Sequence, residues 1–291
     1  MEIVHLEETE NHFLFQNISG ISVRSFLESF WISKKLIYKL ERSKALTVNA
    51  ETVGFDFVLQ SRDVIKISLE EFEKETLFPH EGPLTVIYED ADLLLVNKPP
   101  GILVHPDGTG KLSLDNLVAH HYLRKGLKRK ARHAYRLDYH ASGLLLYPKH
   151  FLAAAHINHQ LENGMMKKLY YAVVEGKVER GGAIDLRIGR DRHRNNRYRV
   201  SKTGKTALTY YRVLQAGEKR SLLEIEIKTG RRHQIRVHFS HLGHPLVGDG
   251  YYGKKGERLM LHAFYLSFQH PRTGERKEFV LPLPKEFTIR S

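Results

Sequence analysis

Four segments of this chain gather side chains able to do chemistry. The first is Leu93-Leu94-Leu95-Val96-Asn97-Lys98-Pro99-Pro100-Gly101, which runs on to Val104-His105-Pro106. The second is Tyr135-Arg136-Leu137-Asp138-Tyr139-His140-Ala141-Ser142-Gly143, leading into Leu144-Leu145-Leu146. The third is Lys168-Leu169-Tyr170-Tyr171-Ala172-Val173-Val174-Glu175-Gly176. The fourth is Thr229-Gly230-Arg231-Arg232-His233-Gln234-Ile235-Arg236-Val237-His238, followed by Gly243-His244-Pro245-Leu246-Val247-Gly248-Asp249. Taken alone, a loop carboxylate such as Asp138 ordinarily braces backbone N–H groups. It is also the type of group that stabilises or attacks an electron-poor carbon. A tyrosine on a strand, such as Tyr170, is ordinarily core, yet its ring is a stacking surface too. Arg231, Arg232 and Arg236 suit phosphate contact, or the holding of a carboxylate in its ionised form. His238, His241 and His244 invite a metal reading, but steps of three residues fan them around a helix by about 60° each, so no metal site is expected.

The elements that would carry these groups follow from caps and periodicity. Ser22 and Ser33 can each cap a short helix, the first with Val23, Phe26, Leu27 and Phe30, the second with Leu36, Ile37 and Leu40. The second helix also bears Lys34, Lys35, Lys39 and Arg42. Strand signals follow at Leu46-Thr47-Val48, Phe57-Val58-Leu59 and Val64-Ile65-Lys66-Ile67, with Asn49 at a turn. Residues 11–69 thus read as a small module, and the acidic, then Pro- and Gly-marked stretch from Glu70 to Pro83 as a linker. Beyond it, strands are expected at residues 93–96, 144–146, 170–174, 207–213, 222–227 and 260–268. Helices are expected from Ser113 through Tyr122, from Phe151 to Asn163, and from Arg231 to Leu242, the last two ended by Gly164 and Gly243. So irregular an order favours α+β over a doubly wound α/β fold.

Composition narrows the function. Across 291 residues, 46 Lys and Arg against 33 Asp and Glu leave a net charge of +13, which favours a polyanionic partner. No long amphipathic basic helix points to a membrane surface instead. The chain has no cysteine, which excludes disulfides, zinc fingers, iron–sulfur clusters and thiol nucleophiles. The acidic start MEIVHLEETE lacks the form of a signal peptide, and no apolar run reaches the ~20 residues of a membrane helix. A cytoplasmic protein is expected. Arg124, Lys125, Lys128, Arg129, Lys130 and Arg132 form one basic cluster. Arg187, Arg190, Arg192, Arg194, Arg197 and Arg199, interleaved with Asn196 and Tyr198, form another; both are candidate RNA-backbone surfaces.

The four segments, in this order, closely resemble the pseudouridine synthase family that includes RluA and RluD. Leu261-His262-Ala263, Phe268-Gln269-His270-Pro271 with Thr273-Gly274-Glu275, and Pro282-Leu283-Pro284 extend the match to essentially everything after Leu84. Residues 84–291 would then form the catalytic domain, a mixed, largely antiparallel sheet with flanking helices and loops around a central cleft. Residues 11–69 resemble the alpha-L RNA-binding module that often precedes it, with Arg62-Asp63 standing where such modules usually have Gly-Asp. The resemblance implies isomerisation of uridine in structured RNA: the base is cut from ribose at nitrogen-1, rotated and rejoined through carbon-5, with neither metal nor organic cofactor. It places Asp138 as the catalytic carboxylate, Tyr170 as the active-site tyrosine and Arg236 as the arginine paired with the carboxylate. Arg136 would fill the space left by the flipped nucleotide or position phosphate, and Arg231, Arg232, Lys34, Lys35 and Lys39 would contact RNA. The expected partner is ribosomal rather than transfer RNA, and the expected state is a monomer.

The family usually reads His-Arg-Leu-Asp, two residues, then Thr-Ser-Gly. Here Tyr135 replaces the histidine, Ala141 the threonine, and Tyr139-His140 a pair that is usually charged. Ala141 has no hydroxyl to brace the loop after Asp138. A non-catalytic RNA-binding relative is the alternative that these departures motivate. A zinc deaminase with a His-Cys-Cys site is excluded by the missing cysteines, and no Gly-rich strand-to-helix turn suggests a nucleotide cofactor.

Overall fold

The apolar runs beyond Leu84 become strands covered on both faces. The computed structural model describes residues 4–9, 12–16, 19–69, 72–73, 76–194 and 196–289; Asn11, Glu70 and Ser291, used above as boundaries, lie outside them.

The N-terminal part comprises β1 (Val4–Thr9), β2 (His12–Gln16), α1 (Val23–Glu28), α2 (Lys34–Ser43), β3 (Leu46–Val48) and β4 (Ile65–Ser68). Its antiparallel sheet runs β1-β2-β4-β3. Both serine caps form: Ser25 N donates to Ser22 Oγ at 3.1 Å, and Leu36 N to Ser33 Oγ at 3.3 Å. Asn49 and Ala50 turn in the left-handed region, and Asp63 anchors that turn by accepting from Asn49 Nδ2 at 2.8 Å and from Gln60 N at 2.7 Å. The expected strand at 57–59 does not form. Its backbone is spent on the approach to α1, through Val23 N to Phe57 O and Leu59 N to Ile21 O, which leaves only a single bridge from Val58 to Ser22.

The rest comprises β5 (Thr85–Glu89), β6 (Leu93–Lys98), α3 (Leu114–Arg124), β7 (Ser142–Pro148), α4 (Phe151–Glu162), β8 (Lys167–Glu175), β9 (Gly182–Asp185), β10 (Ile188–Arg190), β11 (Tyr198–Val200), β12 (Leu208–Ala216), β13 (Arg220–Ile227), α5 (Gln234–His241), β14 (Leu261–Gln269) and β15 (Arg276–Val280). The main sheet is ordered β5-β6-β7-β14-β8-β13-β12-β9, with β15 added to β14, while β10 and β11 form a separate hairpin. Pairing is antiparallel except between β7 and β14. Gly143 makes that junction possible: a Cβ there would lie 2.2 Å from Ala263 O, and its φ is +115°.

Side chains alternate between two cores. Leu93, Leu95, Leu144 and Leu146 pack with Ile157 of α4 and with Phe264, Leu266 and Phe268. Leu94, Val96, Leu145 and Tyr147 face the other way, onto α3, Leu137, Tyr170, Ile235 and Phe239. A strand buried on both faces reads as an unbroken apolar run, which is why Leu93-Leu94-Leu95-Val96 shows no alternation. Each such leucine contributes about 1.5–3 kcal/mol by leaving water. The architecture is the expected α+β fold, a largely antiparallel sheet with flanking helices beside a small N-terminal module.

Candidate active site

On the second of these cores a loop, a strand and a helix start converge. Asp138 lies on the loop before β7, Tyr170 on β8 and Arg236 in the first turns of α5. They line one cavity of about 460 Å³ with Tyr135, Arg136, Leu137, Lys168, Arg231, Arg232, His233 and Ile235. A second cavity of about 320 Å³ shares Arg136, Asp138, Arg232 and Arg236 and adds His105, Lys111, Asn196 and Tyr251. Asp138 therefore stands where two clefts meet.

Arg236 is the geometric centre of the site. Its Nε and Nη2 donate to the two carboxylate oxygens of Asp249 at 2.8 and 2.9 Å, and its Nη1 donates to Asp138 Oδ2 at 2.9 Å. Asp249 is buried and also accepts from Tyr251 N at 3.0 Å and Tyr252 N at 3.2 Å, so the anchor is itself fixed. The rings of Tyr251 and Tyr252 lie 5.4 and 5.2 Å from the guanidinium carbon. A planar fork is what allows one side chain to serve two carboxylates.

The helix carrying Arg236 is shorter than the sequence pattern suggests. Arg231 to His233 form a turn, and His233 enters α5 in the left-handed region at φ +56°. Gln234 fixes that turn by accepting from Thr229 Oγ1 and Arg231 N, and His233 Nδ1 lies 2.9 Å from the Tyr252 hydroxyl. Arg232 is consequently not one turn below Arg236; it points outward, its guanidinium over the ring of Tyr198.

The electrostatics favour an ionised Asp138. Burial alone would raise its pKa, but His233, Arg236 and Arg232 outweigh burial and hold it below the usual carboxylate value. His233 itself is pushed down to about 4 by burial, against the pull of Asp138, so near neutral pH it is uncharged and Arg236 supplies the stabilising charge. Burial and the charge of Asp138 push the Tyr170 phenol well above its ordinary value. Tyr171, on the other face of β8, stacks on Phe264 at 3.7 Å.

Two lysines to which the sequence pattern assigns no role belong here. Lys98 is fully buried, and its Nζ donates to the carbonyls of Pro99, Tyr139 and Ala141 at 3.0, 3.1 and 2.7 Å. It clamps the loop after Asp138 through its backbone, so a hydroxyl at position 141 is not needed for that. Burial lowers the Lys98 ammonium to about 7, against an upward pull from Asp138. Lys168 lies over the Tyr135 ring at 4.8 Å, and Tyr135 donates its hydroxyl to Leu144 O at 3.0 Å. Unbroken runs such as Asn97-Lys98-Pro99 give no periodicity signal; only the break in a buried strand at a lysine marks the position.

The remaining candidates are dispersed. Arg136 is exposed at the mouth of both cavities, and Arg231 donates its Nε to Thr206 O at 2.9 Å. Lys34, Lys35 and Lys39 are exposed on α2, and none of them lines the Asp138 cavity. The basic cluster at 124–132 is partly consumed: Arg129 is buried, Lys125 pairs with Glu89 and Arg132 with Glu73. The arginines of the β10–β11 hairpin stay largely exposed, with Arg197 over Tyr252. His238 is saturated by Thr209 Oγ1 and Leu186 O, and His244 contacts Glu175 O, so the three histidines do not converge. Asp90, Asp92 and His270 do converge, but Tyr88, His150 and Arg272 occupy the carboxylates. That cluster ties β6, α4 and the β14–β15 turn together.

The chain is similar to known proteins along most of its length. The RNA pseudouridylate synthase family matches residues 92–241, and the RluD ribosomal pseudouridine synthase N-terminal domain matches residues 14–65. A Bacillus subtilis protein described as "Uncharacterized RNA pseudouridine synthase YhcT" is 41% identical over 261 residues, 87% of this chain and 86% of that protein. The ribosomal large subunit pseudouridine synthase D of Vibrio cholerae is 34% identical, with 77% of this chain and 75% of that protein covered. Among solved structures, human RNA pseudouridylate synthase domain containing 1 aligns with a TM-score of 0.60 and 29% identity, over 71% of this chain and 86% of that one. The chain belongs to the RNA pseudouridine synthase family, of the RluA/RluD type with an N-terminal RNA-binding module. It is an isomerase of uridine in RNA.

Proposed function

We propose that Asp138 is the carboxylate that acts on the ribose of the target uridine, with Tyr170 stacking on the flipped base and Arg236 keeping the carboxylate ionised and aimed. The observation that carries this reading is the fork of Arg236, fixed on buried Asp249 and offering its third nitrogen, Nη1, to Asp138 in the cavity. A glycosidic bond breaks through a sugar centre that gains positive character, and a carboxylate beside it stabilises or attacks that centre. No step in this chemistry calls for a metal or an organic cofactor. Arg136, Arg231, Arg232 and the β10–β11 arginines serve the RNA backbone, and Lys34, Lys35 and Lys39 add affinity from α2. In this reading residues 11–69 are the RNA-binding module and 84–291 the catalytic domain.

The substrate we propose is ribosomal RNA, supported by the RluD-type N-terminal match; transfer RNA is the competing outcome. The proposed state is a monomer. No described helix is long and apolar enough to cross a membrane, which is compatible with work in the cytoplasm. Pseudouridine mapping of total RNA from a deletion strain and its parent would reveal the substrate. For the site, Asp138→Asn keeps shape and removes charge. Tritium release from 5-tritiated uridine in a transcript should fall by many orders of magnitude while filter binding of the same RNA stays within roughly tenfold. Substantial release by this variant would remove Asp138 from the chemistry.

A further inference from the structure

Lys168 stands two residues before Tyr170 on β8, so both side chains leave the same face of the strand and enter the Asp138 cavity. Among the described residues its ammonium makes no hydrogen bond or ion pair and rests only over the Tyr135 ring. Lys168 is half-buried, and an ammonium drawn against a cavity wall with no charged partner is costly and uncommon outside sites that use it. Burial brings its ammonium down to about 8, within easy exchange of neutral pH.

The isomerisation needs a proton carrier. Nitrogen-1 of uracil loses its bond to the sugar and ends with a hydrogen, while carbon-5 loses its hydrogen and gains the sugar. Three neighbours that line the same cavity, Arg236, His233 and Tyr170, are badly suited to the transfer. Arg236 is committed to two carboxylates and does not release a proton. His233 is neutral and held to Tyr252, and the phenol of Tyr170 is pushed far up by burial and Asp138.

We infer that Lys168 is a further catalytic residue, carrying the proton between nitrogen-1 and carbon-5 of the bound uracil. As the N1–C1′ bond breaks, its electron pair stays on nitrogen-1 and takes a proton from the Lys168 ammonium. After the base rotates, the C5=C6 electron pair forms the C5–C1′ bond. The neutral Lys168 amine then removes the carbon-5 proton, which restores the C5=C6 bond and the ammonium. Nothing is oxidised or reduced, and the protein returns to its starting state. The cycle is the same whether Asp138 bonds to the sugar or borrows a proton from it.

This assignment rests on the Asp138 cavity being the uridine pocket, so wild-type tritium release and its loss in Asp138→Asn are measured first. Lys168→Met and Lys168→Arg are then compared on transcripts carrying 5-protio or 5-deuterio uridine. Loss of the carrier should lower kcat by about 10²- to 10⁴-fold, with RNA affinity unchanged. Carbon-5 proton removal should become rate-limiting, so an isotope effect absent from wild type should appear in both variants. Arginine keeps charge and stem but holds its proton, so Lys168→Arg alone carries the test if Lys168→Met does not fold. Wild-type turnover in Lys168→Arg would overturn the assignment, as would slow variants with no carbon-5 isotope effect.

Discussion

Arg236 meets two carboxylates with three donors, and this makes its substitution informative in a way that truncation is not. Arg236→Ala would strand the buried Asp249 carboxylate, a loss of about 3–5 kcal/mol that confuses folding with catalysis. Arg236→Lys keeps a cation against Asp249 but has no fork to reach Asp138 as well. With the Asp138 pKa held low in the wild type, its ionised form persists as pH falls below the ordinary carboxylate range and is lost only on passing through that lowered value. Removing the fork weakens the opposition to burial, so the pKa rises and the acid limb of the kcat profile should move to higher pH. Loss of one charge-assisted hydrogen bond, about 1.5–3 kcal/mol, should lower turnover by roughly 10- to 100-fold. Normal turnover with an unmoved acid limb would reassign Arg236 to a structural role. Lys98 offers a second test at this scale. Lys98→Met would leave the carbonyls of Pro99, Tyr139 and Ala141 without their donor, a cost of about 1–3 kcal/mol, and should lower kcat more than RNA affinity. Equal turnover in wild type and Lys98→Met would show that the loop is held without the clamp. The sequence makes Asp138, Tyr170 and Arg236 conspicuous because each sits in a segment that resembles a pseudouridine synthase motif. Lys98, Lys168, His233 and Asp249 lie in the same segments but carry no assignment there, since such roles depend on partners 13 to 98 positions away, as with Asp249 for Arg236 and Arg236 for Asp138.

At the scale of elements, the serine caps are readable because an N-cap is a local rule, satisfied within three residues. The central strands are readable as apolar runs. Residues 57–59 mislead because β-branched and aromatic types fit a strand, while the competing demand for backbone partners comes from α1, more than thirty positions earlier. The start of the last helix misleads because the helical spacing of Ile235, His238, Phe239 and Leu242 fixes no N-terminal boundary, whereas the chain turns at His233 in a conformation that spacing does not report. Strands β5, β9, β10, β11 and β15 carry short or half-exposed patterns and offer no comparable signal. The amphipathic α2 makes the element-scale prediction. It buries Ile37 and Leu40 and leaves Lys34, Lys35 and Lys39 exposed. Replacing the three lysines by glutamine should leave the melting temperature and saturated kcat unchanged. RNA affinity should weaken, and the slope of log K against log salt should flatten by up to about 2–3, at ~0.7–0.9 for each phosphate no longer neutralised. An unchanged slope would take α2 off the RNA surface.

For the whole molecule, the question is whether the two parts are separable. The sequence suggests they are, since every segment matched to chemistry lies after Leu84, and every residue lining the Asp138 cavity lies at or beyond His133. The packing says otherwise. Phe151 and Leu152, at the start of α4, are buried in the same cluster as Phe13, Phe15, Phe26, Leu27 and Ile37. Glu73, in the stretch read as a linker, is buried; it accepts from Phe151 N at 2.8 Å and pairs with Arg132 at 3.1 Å. The Phe13 ring also lies 4.6 Å from His150, the cap of α4. A chain beginning near Pro83 would expose Phe151 and Leu152 and release α4 from Glu73. At about 1.5–3 kcal/mol for each exposed side chain, about 3–6 kcal/mol is at stake, a large share of what holds a domain folded. The truncated chain should therefore unfold at clearly lower urea than the full chain. Its folded fraction should still release tritium from 5-tritiated RNA at high enzyme concentration, because the cavity keeps all its lining residues. The lysine-to-glutamine variant of α2 provides the contrast, losing affinity without losing stability. Equal urea midpoints for truncated and full-length chains would mean that the shared core is not a stabilising one, and that the N-terminal part acts through RNA contacts alone.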